Sequence, residues 1–279
     1  MKWQGRRGSR NVEDRRGMST GTKVAGGGIG TLVIILLVYL LGGDPSAIIQ
    51  DTGSGQASGP VEATAEENAM AQFVSVVLAD TEEVWGKLFE QAGGTYRQPT
   101  LVLFRDQVQS ACGYATAASG PFYCPADEKV YIDLSFCDDL RNKYGAYGDF
   151  AVAYVIAHEV GHHVQNLMGI LDEVQTERKR LSEVRANQLT VRLELQADFL
   201  AGVWAHHADR MFNSLEEGDI EEALNAASSI GDDVLQKKYQ GRVIPDAFTH
   251  GTAAQRSSWL RKGWVTGDLN QGDTFSGVI

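Results

Sequence analysis

Hydrophobic residues recur at three- and four-residue spacings along much of the chain, which is the pattern of amphipathic helices. The pattern predicts a helix over residues 66–91 and a largely helical stretch over residues 171–212. It predicts a shorter helix over residues 220–239 and a last helix that is capped near Thr252. These segments make the chain mostly helical.

Two shorter runs are rich in β-branched and aromatic residues and predict strands, over residues 100–104 and 129–136. Between them we expect a loop rich in Gly, Ala, Ser and Pro. Residues 267–279 are polar and Gly-rich, and we expect them to be frayed. Many helices and few strands indicate the α+β class, a mostly helical domain with a small sheet.

Residues 24–43 form a twenty-residue stretch without charge, long enough to cross a bilayer once as a helix. We interpret it as one N-terminal transmembrane helix, an uncleaved signal anchor; a cleaved signal peptide is the alternative. Residues 1–23 then form a basic tail, expected to be disordered and cytoplasmic by the positive-inside rule. Residues 44–66 are a flexible linker, and residues 67–279 form one domain outside the cytoplasm.

Charge is distributed unevenly along the 279 residues, whose net charge is −11. Residues 1–23 hold seven Lys and Arg against two acidic residues, a net of +5, so the remainder carries −16. A domain this acidic repels polyanions. We therefore expect no nucleic-acid partner.

The chemistry-bearing motif is H-e-x-x-H, formed by His158, Glu159 and His162. The preceding apolar run, residues 150–157, predicts a helix, with Asp149 as its N-cap. On a helix the two imidazoles lie one turn apart on one face and can share a Zn²⁺ ion, with the glutamate beside it. The alternative is a chance motif on a buried helix, and a third ligand would decide against it.

The third ligand must come from elsewhere in the chain. Metzincins would have Gly at position 165 and His at position 168; Gln165 and Met168 exclude that class. Glu194 and Asp198 stand four residues apart on an apolar helix, which suggests that Glu194 binds the metal while Asp198 holds a ligand imidazole. A pair of surface carboxylates is the alternative. Two other carboxylates are weaker candidates, because their segment is rich in both charges: Glu173 and Glu183.

The motif and the later carboxylates resemble the gluzincin peptidases. More closely, the chain resembles the bacterial neutral zinc metallopeptidases, the YpfJ-like proteins, over residues 67–265 and in its basic, apolar N-terminal region. The strings that carry this resemblance are Cys112-Gly, Pro121-Phe-Tyr-Cys-Pro, Val130-Tyr-Ile-Asp, His158-Glu-Val-Gly-His-His-Val-Gln, Glu194-Leu-Gln-Ala-Asp with Ala201-Gly-Val-Trp, and His250-Gly-Thr-x-x-Gln-Arg. The resemblance implies a zincin-like, membrane-anchored zinc endopeptidase with a protein or peptide substrate.

The residue types then give a mechanism. One catalytic Zn²⁺ would be held by His158, His162 and Glu194 and would lower the pKa of water there. Glu159 is expected to take the proton and later return it to the leaving amine. The run 130–136 is a candidate edge strand for pairing with an extended substrate; a plain core strand is the alternative.

The remaining histidines have other expected roles. Gluzincins use a late His or Tyr to stabilise the oxyanion, so His250 is the candidate here, and Arg256 either assists or braces its loop. A surface role is the alternative for both. His163 points away from the ligand face and is expected to be a buried polar or surface residue. His206 and His207 are expected on the surface.

The three cysteines relate to the cellular compartment in which the domain lies. If the domain lies outside the cytoplasm, Cys112 and Cys124 are expected to form a disulfide. Cys137 is then a buried free thiol. No C-x-x-C is present, which disfavours a Cys-ligated zinc.

Two classes of function fit these features. One is a zinc peptidase on the outer side of the bacterial inner (cytoplasmic) membrane. The other is a catalytically silent membrane protein that keeps a zincin fold for binding or regulation. The intact Glu159 favours the peptidase, since a non-enzyme has no need of a proton acceptor there.

Overall fold

The computed structural model describes residues 1–17, 63–277 and 279. The expected transmembrane segment and most of the expected linker lie outside these residues. Among the residues described, no helix is both long enough and apolar enough to cross a membrane. Met1–Arg15 and Ala65–Ile279 belong to one compact unit, and the fold below is that of this unit.

The described residues confirm a mostly helical α+β fold with a small sheet. The helices are α1 Ala65–Gln91, α2 Ser135–Asn142, α3 Asp149–Leu167, α4 Ile170–Arg178, α5 Glu183–Phe212, α6 Asp219–Ser229, α7 Asp232–Gln240 and α8 Ala253–Thr266. The strands are β1 Val12–Asp14, β2 Thr100–Phe104, β3 Gln107–Ser110, β4 Gly113–Thr116, β5 Phe122–Cys124 and β6 Lys129–Asp133.

Four of the strands form a mixed sheet in the order β1-β2-β6-β5. The first three are parallel, and β5 is antiparallel to β6. Along β2, Leu101 and Leu103 belong to the main hydrophobic core, whereas Val102 and Phe104 belong to a smaller cluster on the other face. The sheet is therefore covered on both faces, and β3 and β4 form a separate hairpin.

The strand predicted over residues 100–104 is confirmed as β2, and the other strand prediction is wrong in part. The predicted strand over residues 129–136 ends at Asp133, and helix α2 begins at Ser135. Strand β6 lies between β2 and β5, so it is not an edge strand; the edge on that side is β5. The expected loop between residues 104 and 129 contains β3, β4 and β5, which are too short to give a clear alternating pattern.

Two predicted helical stretches are each interrupted. Residues 171–212 form α4 and α5 with a break between them. Residues 220–239 form α6 and α7, which separate at Ile230-Gly231. At Gly231 a Cβ atom would lie 2.3 Å from the Ala253 amide nitrogen, so only glycine permits this close approach to the start of α8.

The C-terminal end is more ordered than the sequence suggests. Thr252 caps α8, as predicted, and accepts a hydrogen bond from the Gln255 amide. Residues 267–277 were expected to fray, but Thr274 is fully buried. Its carbonyl accepts a hydrogen bond from Arg192.

Residues 1–17 are also ordered, so the expectation of a disordered tail is wrong for them. Met1–Arg15, which we call the N-terminal arm, contributes strand β1 to the sheet. The sequence of β1, Val-Glu-Asp, has no strand periodicity, and pairing with β2 alone makes it a strand.

Candidate metal centre

Helix α3 presents the H-e-x-x-H motif from inside the core. Nearly every residue from Phe150 to Gln165 is buried. The helix is capped by Gly148, not by Asp149 as predicted, because Asp149 already lies in the first turn. Glu222 of α6 accepts a hydrogen bond from the Phe150 amide at 3.1 Å, so a carboxylate satisfies the helix start from outside.

Helix α5 packs against α3 and brings the two later carboxylates to the motif. The approach is close at Gly161, where a Cβ atom would lie 3.1 Å from the Ala197 carbonyl oxygen. Glu194 and Asp198 flank this contact, one turn apart on α5. The second position of the motif's x-x pair is therefore a packing residue that lets the two helices meet.

The three candidate ligands, His158, His162 and Glu194, lie close together. The Nε2 atoms of His158 and His162 lie 3.2 Å and 3.4 Å from Oε2 of Glu194. One ligand atom from each residue lies within 4.8 Å of the other two. All three side chains are at least 87% buried, with exposures of 8%, 13% and 13%. Two imidazoles and one carboxylate are a ligand set of catalytic zinc sites.

The Nδ1 atoms of both imidazoles, which face away from the shared centre, are hydrogen-bonded to acceptors. His158 Nδ1 donates to Asp198 Oδ1 at 2.8 Å, and His162 Nδ1 donates to Gln165 Oε1 at 2.9 Å. The Gln165 amide group in turn donates to the Leu193 carbonyl, which leaves its oxygen facing the imidazole. With both Nδ1 atoms protonated, both Nε2 lone pairs point to the shared centre, and the residues fit a zinc ion.

Asp198 is held from its other side by a buried cation. Arg256 donates to Asp198 Oδ2 through Nε at 2.9 Å and to Oδ1 through a terminal nitrogen at 3.0 Å. The Tyr154 hydroxyl donates to the same Oδ1 at 2.6 Å and accepts from Arg256 at 3.0 Å. Arg256 therefore reaches the centre through Asp198, and a surface position is excluded by its 3% exposure.

Electrostatics in the cluster follow from these contacts. Burial alone would lower the pKa of His158, but the carboxylates of Asp198 and Glu194 outweigh it and raise the pKa to about 10. Burial would raise the pKa of Glu194, yet His162 and His158 hold it well below its ordinary value. A cation is thus favoured between these groups, and protons compete with a metal for the centre.

A cleft of about 440 Å³ opens onto the three candidate ligands and onto Glu159. The edge strand β5 and the residues before it form one wall, through Phe122 and Tyr123. Apolar side chains of α2 and α7 line it further, including Phe136 and Leu235. The volume is in the range of ligand sites, and one end carries the polar groups.

His250 lines the same cleft and is held by Asp232, at the start of α7. Asp232 Oδ2 accepts hydrogen bonds from the amides of Thr249, His250 and Gly251 at 2.6–3.0 Å. Its Oδ1 lies 3.4 Å from His250 Nδ1. Partial burial lowers the pKa of His250, but Asp232 and Glu194 raise it above its ordinary value.

The other histidines lie away from the centre. His163 is fully buried and lies 2.9 Å from the Tyr123 hydroxyl and 2.6 Å from the Arg97 carbonyl. His206 and His207, which were expected on the surface, are partly buried and bond to backbone carbonyls at the end of α8. The weaker ligand candidates stay outside the cluster and are exposed: Glu173 and Glu183.

Three residues of the site were not predicted from the sequence: Tyr154, Gln165 and Asp232. Tyr154 precedes His158 by four residues and Gln165 follows His162 by three, so helical spacing alone could have placed both beside the motif. Asp232 had no such signal, because its partners lie 17–19 residues further along the chain.

The disulfide between Cys112 and Cys124 is present, and Cys137 is a buried free thiol, both as predicted. The disulfide closes the segment that contains β4 and the cleft wall up to β5. Burial raises the pKa of the Cys137 thiol to about 12, which makes it a poor nucleophile.

A family model described as "Putative neutral zinc metallopeptidase" matches residues 1–275. The chain belongs to this family.

The "Uncharacterized protein YpfJ" of Escherichia coli (strain K12) is 49% identical over 288 residues, covering 100% of both chains. The "Uncharacterized protein Rv2575" of Mycobacterium tuberculosis (strain ATCC 25618 / H37Rv) is 39% identical over 256 residues, covering 85% of this chain and 84% of that protein. No solved structure matches. Membership confirms the predicted family and implies zinc and a peptidase at the family level.

Proposed function

We propose that this protein is a zinc metallopeptidase, which hydrolyses peptide bonds in protein or peptide substrates. The observation that carries the proposal is the convergence of His158, His162 and Glu194 in a cleft that Glu159 also lines. One zinc ion would be held by these three side chains and would supply Lewis acidity, which lowers the pKa of water and polarises a carbonyl.

The chain's own residues divide the remaining work. The Glu159 carboxylate takes a proton from the attacking water and returns it to the leaving amine nitrogen. His250, whose Nδ1 lies 3.1 Å from the Thr249 hydroxyl and 3.4 Å from Asp232 Oδ1, donates from Nε2 to the oxyanion that develops on the substrate carbonyl. Asp198 fixes the ring of His158, and Arg256 keeps Asp198 ionised and in place.

Substrate binding falls to the cleft wall. Strand β5 is the edge of the sheet beside the candidate centre, so an extended peptide can add to it as a further strand. The aromatic and aliphatic lining, with Phe122, Phe136 and Leu235, suits an apolar side chain next to the scissile bond.

We place the domain outside the bacterial cytoplasm, attached to the inner membrane through residues 24–43. The support is the Cys112–Cys124 disulfide, whose Cys112 end is exposed and would meet reductants in the cytoplasm. The twenty uncharged residues supply the means of attachment.

The test uses the purified full-length chain and Glu159→Gln, with Glu173→Gln as the matched control on exposed surface. We expect all three to hold about one zinc by elemental analysis. Glu159→Gln should lose cleavage of a peptide library by about 10²–10⁴-fold, the usual contribution of a general base. Glu173→Gln should cleave like the wild type.

Full activity in Glu159→Gln would contradict the proposed mechanism. Zinc binding without cleavage by any of the three proteins would instead favour the silent binding or regulatory protein. If Glu159→Gln loses cleavage as expected, substrates can be identified by profiling newly formed protein N-termini in native membranes, with the wild type compared against Glu159→Gln.

A further inference from the structure

The N-terminal arm is built into the domain through the sheet. Val12, Glu13 and Asp14 pair with Leu101, Val102 and Leu103 of β2 in parallel register. Backbone hydrogen bonds extend the pairing on both sides, from the Leu101 amide to Asn11 and from the Arg15 amide to Leu103, each at 2.8 Å. The arm thereby covers an edge of the sheet that would otherwise be open.

Specific polar pairs hold the arm to α1. Arg6 donates two hydrogen bonds of 2.7 Å to the carboxylate of Asp80, which is 3% exposed. Glu82, also buried, accepts from Ser9 at 2.5 Å and from Asn11 at 2.7 Å. Buried charges need such partners in defined positions, so these contacts fix one arrangement of the arm.

Steric fit gives a further reason to regard the arm as an integral part of the domain. A Cβ atom at Gly8 would lie 2.6 Å from the Ser75 hydroxyl oxygen, so the arm lies close against α1 at that point. The ring of Trp3 meets that of Phe73 edge to face, with centroids 5.5 Å apart. Backbone pairing, ion pairs and packing thus agree on the same docked position.

This position conflicts with a single crossing by residues 24–43. Those residues stand between the arm and the domain in the sequence, and one crossing would place the arm and the domain on opposite sides of the bilayer. The contacts of β1 with β2 and of Arg6 with Asp80 could not then form. A docked arm and a single-pass anchor exclude each other.

We propose that the N-terminal arm and the domain lie on the same side of the membrane. Two of the basic residues that suggested a cytoplasmic N-terminus form ion pairs with the domain. Arg6 and Arg7 pair with Asp80 and Glu83 of the domain itself. Their charge therefore reflects folding and gives no independent evidence of orientation.

Sidedness is tested with single cysteines in the full-length chain, Arg10→Cys in the arm and Gln175→Cys in the domain, both at exposed positions. A membrane-impermeant maleimide is added to spheroplasts before and after permeabilisation, with the wild type as the background control. We expect both positions to react under the same condition. Reaction of one before permeabilisation and of the other only afterwards would overturn the proposal.

Docking in the membrane is tested with a second pair, Asn11→Cys and Gln98→Cys; the native Asn11 is half-buried, Gln98 is exposed, and their side chains are 2.8 Å apart. A short, membrane-permeant bis-maleimide should join the two within one chain, and mass spectrometry should find the linked peptides. Asn11→Cys alone is the control. No linkage in a chain where both cysteines react singly would overturn the proposal as well.

Discussion

At the scale of single residues, the candidate centre is a chain of contacts that runs outward from the imidazoles. His158 depends on Asp198, and Asp198 depends on Arg256 and Tyr154. Each of these groups is buried, so each needs the next to offset the cost of leaving water. The negative charge of Asp198 therefore does two things: it orients an imidazole, and it neutralises a buried guanidinium.

The two roles predict a double loss in Asp198→Asn. Zinc affinity, measured by competition with a chelator, should fall about 10–100-fold, as is usual when the partner of a ligand is lost. The free energy of unfolding in urea should fall by about 3–5 kcal/mol, because Arg256 stays buried without its counter-ion.

Tyr154→Phe is the matched control, since it removes one hydroxyl from the same network and no charge. It should cost about 0.5–1.5 kcal/mol and leave zinc affinity nearly unchanged. Equal zinc affinity in Asp198→Asn and the wild type would refute the role of Asp198 in holding His158.

At the scale of helices, two glycine contacts bring α8 onto α5 and so carry Arg256 to Asp198. A Cβ atom at Gly202 would lie 2.1 Å from the Leu260 carbonyl oxygen, and one at Gly263 would lie 2.0 Å from that of Phe199. Both contacts are with backbone, which cannot move aside as a side chain can. The distance between the helices is set by the absence of these two methyl groups.

Gly263→Ala should therefore push α8 away from α5. We expect a loss of about 1–3 kcal/mol in the free energy of unfolding, as for other overpacked sites, together with weaker zinc binding. Gly86→Ala in α1 is the control, because nothing lies within 4 Å of the added methyl group. That change should stabilise the helix by about 0.5–1 kcal/mol. Unchanged stability in Gly263→Ala would show that the helices can separate freely.

The cleft wall is constrained by a covalent bond, the disulfide that closes the segment containing it. Residues 118–123 line the cleft and lie between Cys112 and Cys124, whereas the candidate ligands lie on α3 and α5. Replacing both cysteines, Cys112→Ser with Cys124→Ala, should raise KM for peptides and leave zinc content and kcat close to wild type. Cys137→Ala controls for loss of a thiol. Loss of zinc in the double variant would show that the wall also supports the centre.

The elements also show what the sequence could predict. His158, His162, Glu194 and Asp198 lie four residues apart in pairs, and local helical geometry was enough to place each pair. Asp232 joins parts of the chain that only tertiary structure brings together. Short strands such as β5 have the same difficulty, because three residues carry no period and pairing partners decide their state.

At the scale of the whole molecule, the N-terminal arm is where reasoning from the sequence failed most clearly. Its basic residues resemble a cytoplasmic tail in composition, and composition carries no information on which carboxylates they meet. In the fold, Arg6 meets Asp80 and Lys129 meets Glu13. The arm thus forms part of the sheet and contacts α1, and its loss should lower the stability of the domain.

A double-mutant cycle on Arg6→Ala and Asp80→Ala measures this coupling in the full-length protein. We expect about 1–3 kcal/mol in urea unfolding at pH 8, as for neighbouring residues that share a buried contact. The pair Arg7 and Glu83 is the matched control on the same two elements, with a similar separation of 2.6 Å but 57% and 47% exposure. Its coupling should be about 0–1 kcal/mol, since solvent screens an exposed ion pair. Equal coupling in the two cycles would contradict a buried, docked arm.

Acid should weaken the coupling between Arg6 and Asp80. Burial raises the pKa of Asp80 from 3.8 to about 6, although Arg6 opposes the rise. At pH 5 the carboxyl is therefore mostly protonated, and Arg6→Ala should cost less there than at pH 8. The carboxyl's own effect has the opposite sign: a raised pKa favours the folded state below pH 3.8, and this contribution is lost as the pH rises through about 6. The single variant Asp80→Ala removes both the ion pair with Arg6 and the effect of the raised pKa, so only the double-mutant cycle separates them. A coupling that stayed constant from pH 8 to pH 5 would mean that Asp80 remains ionised beside Arg6.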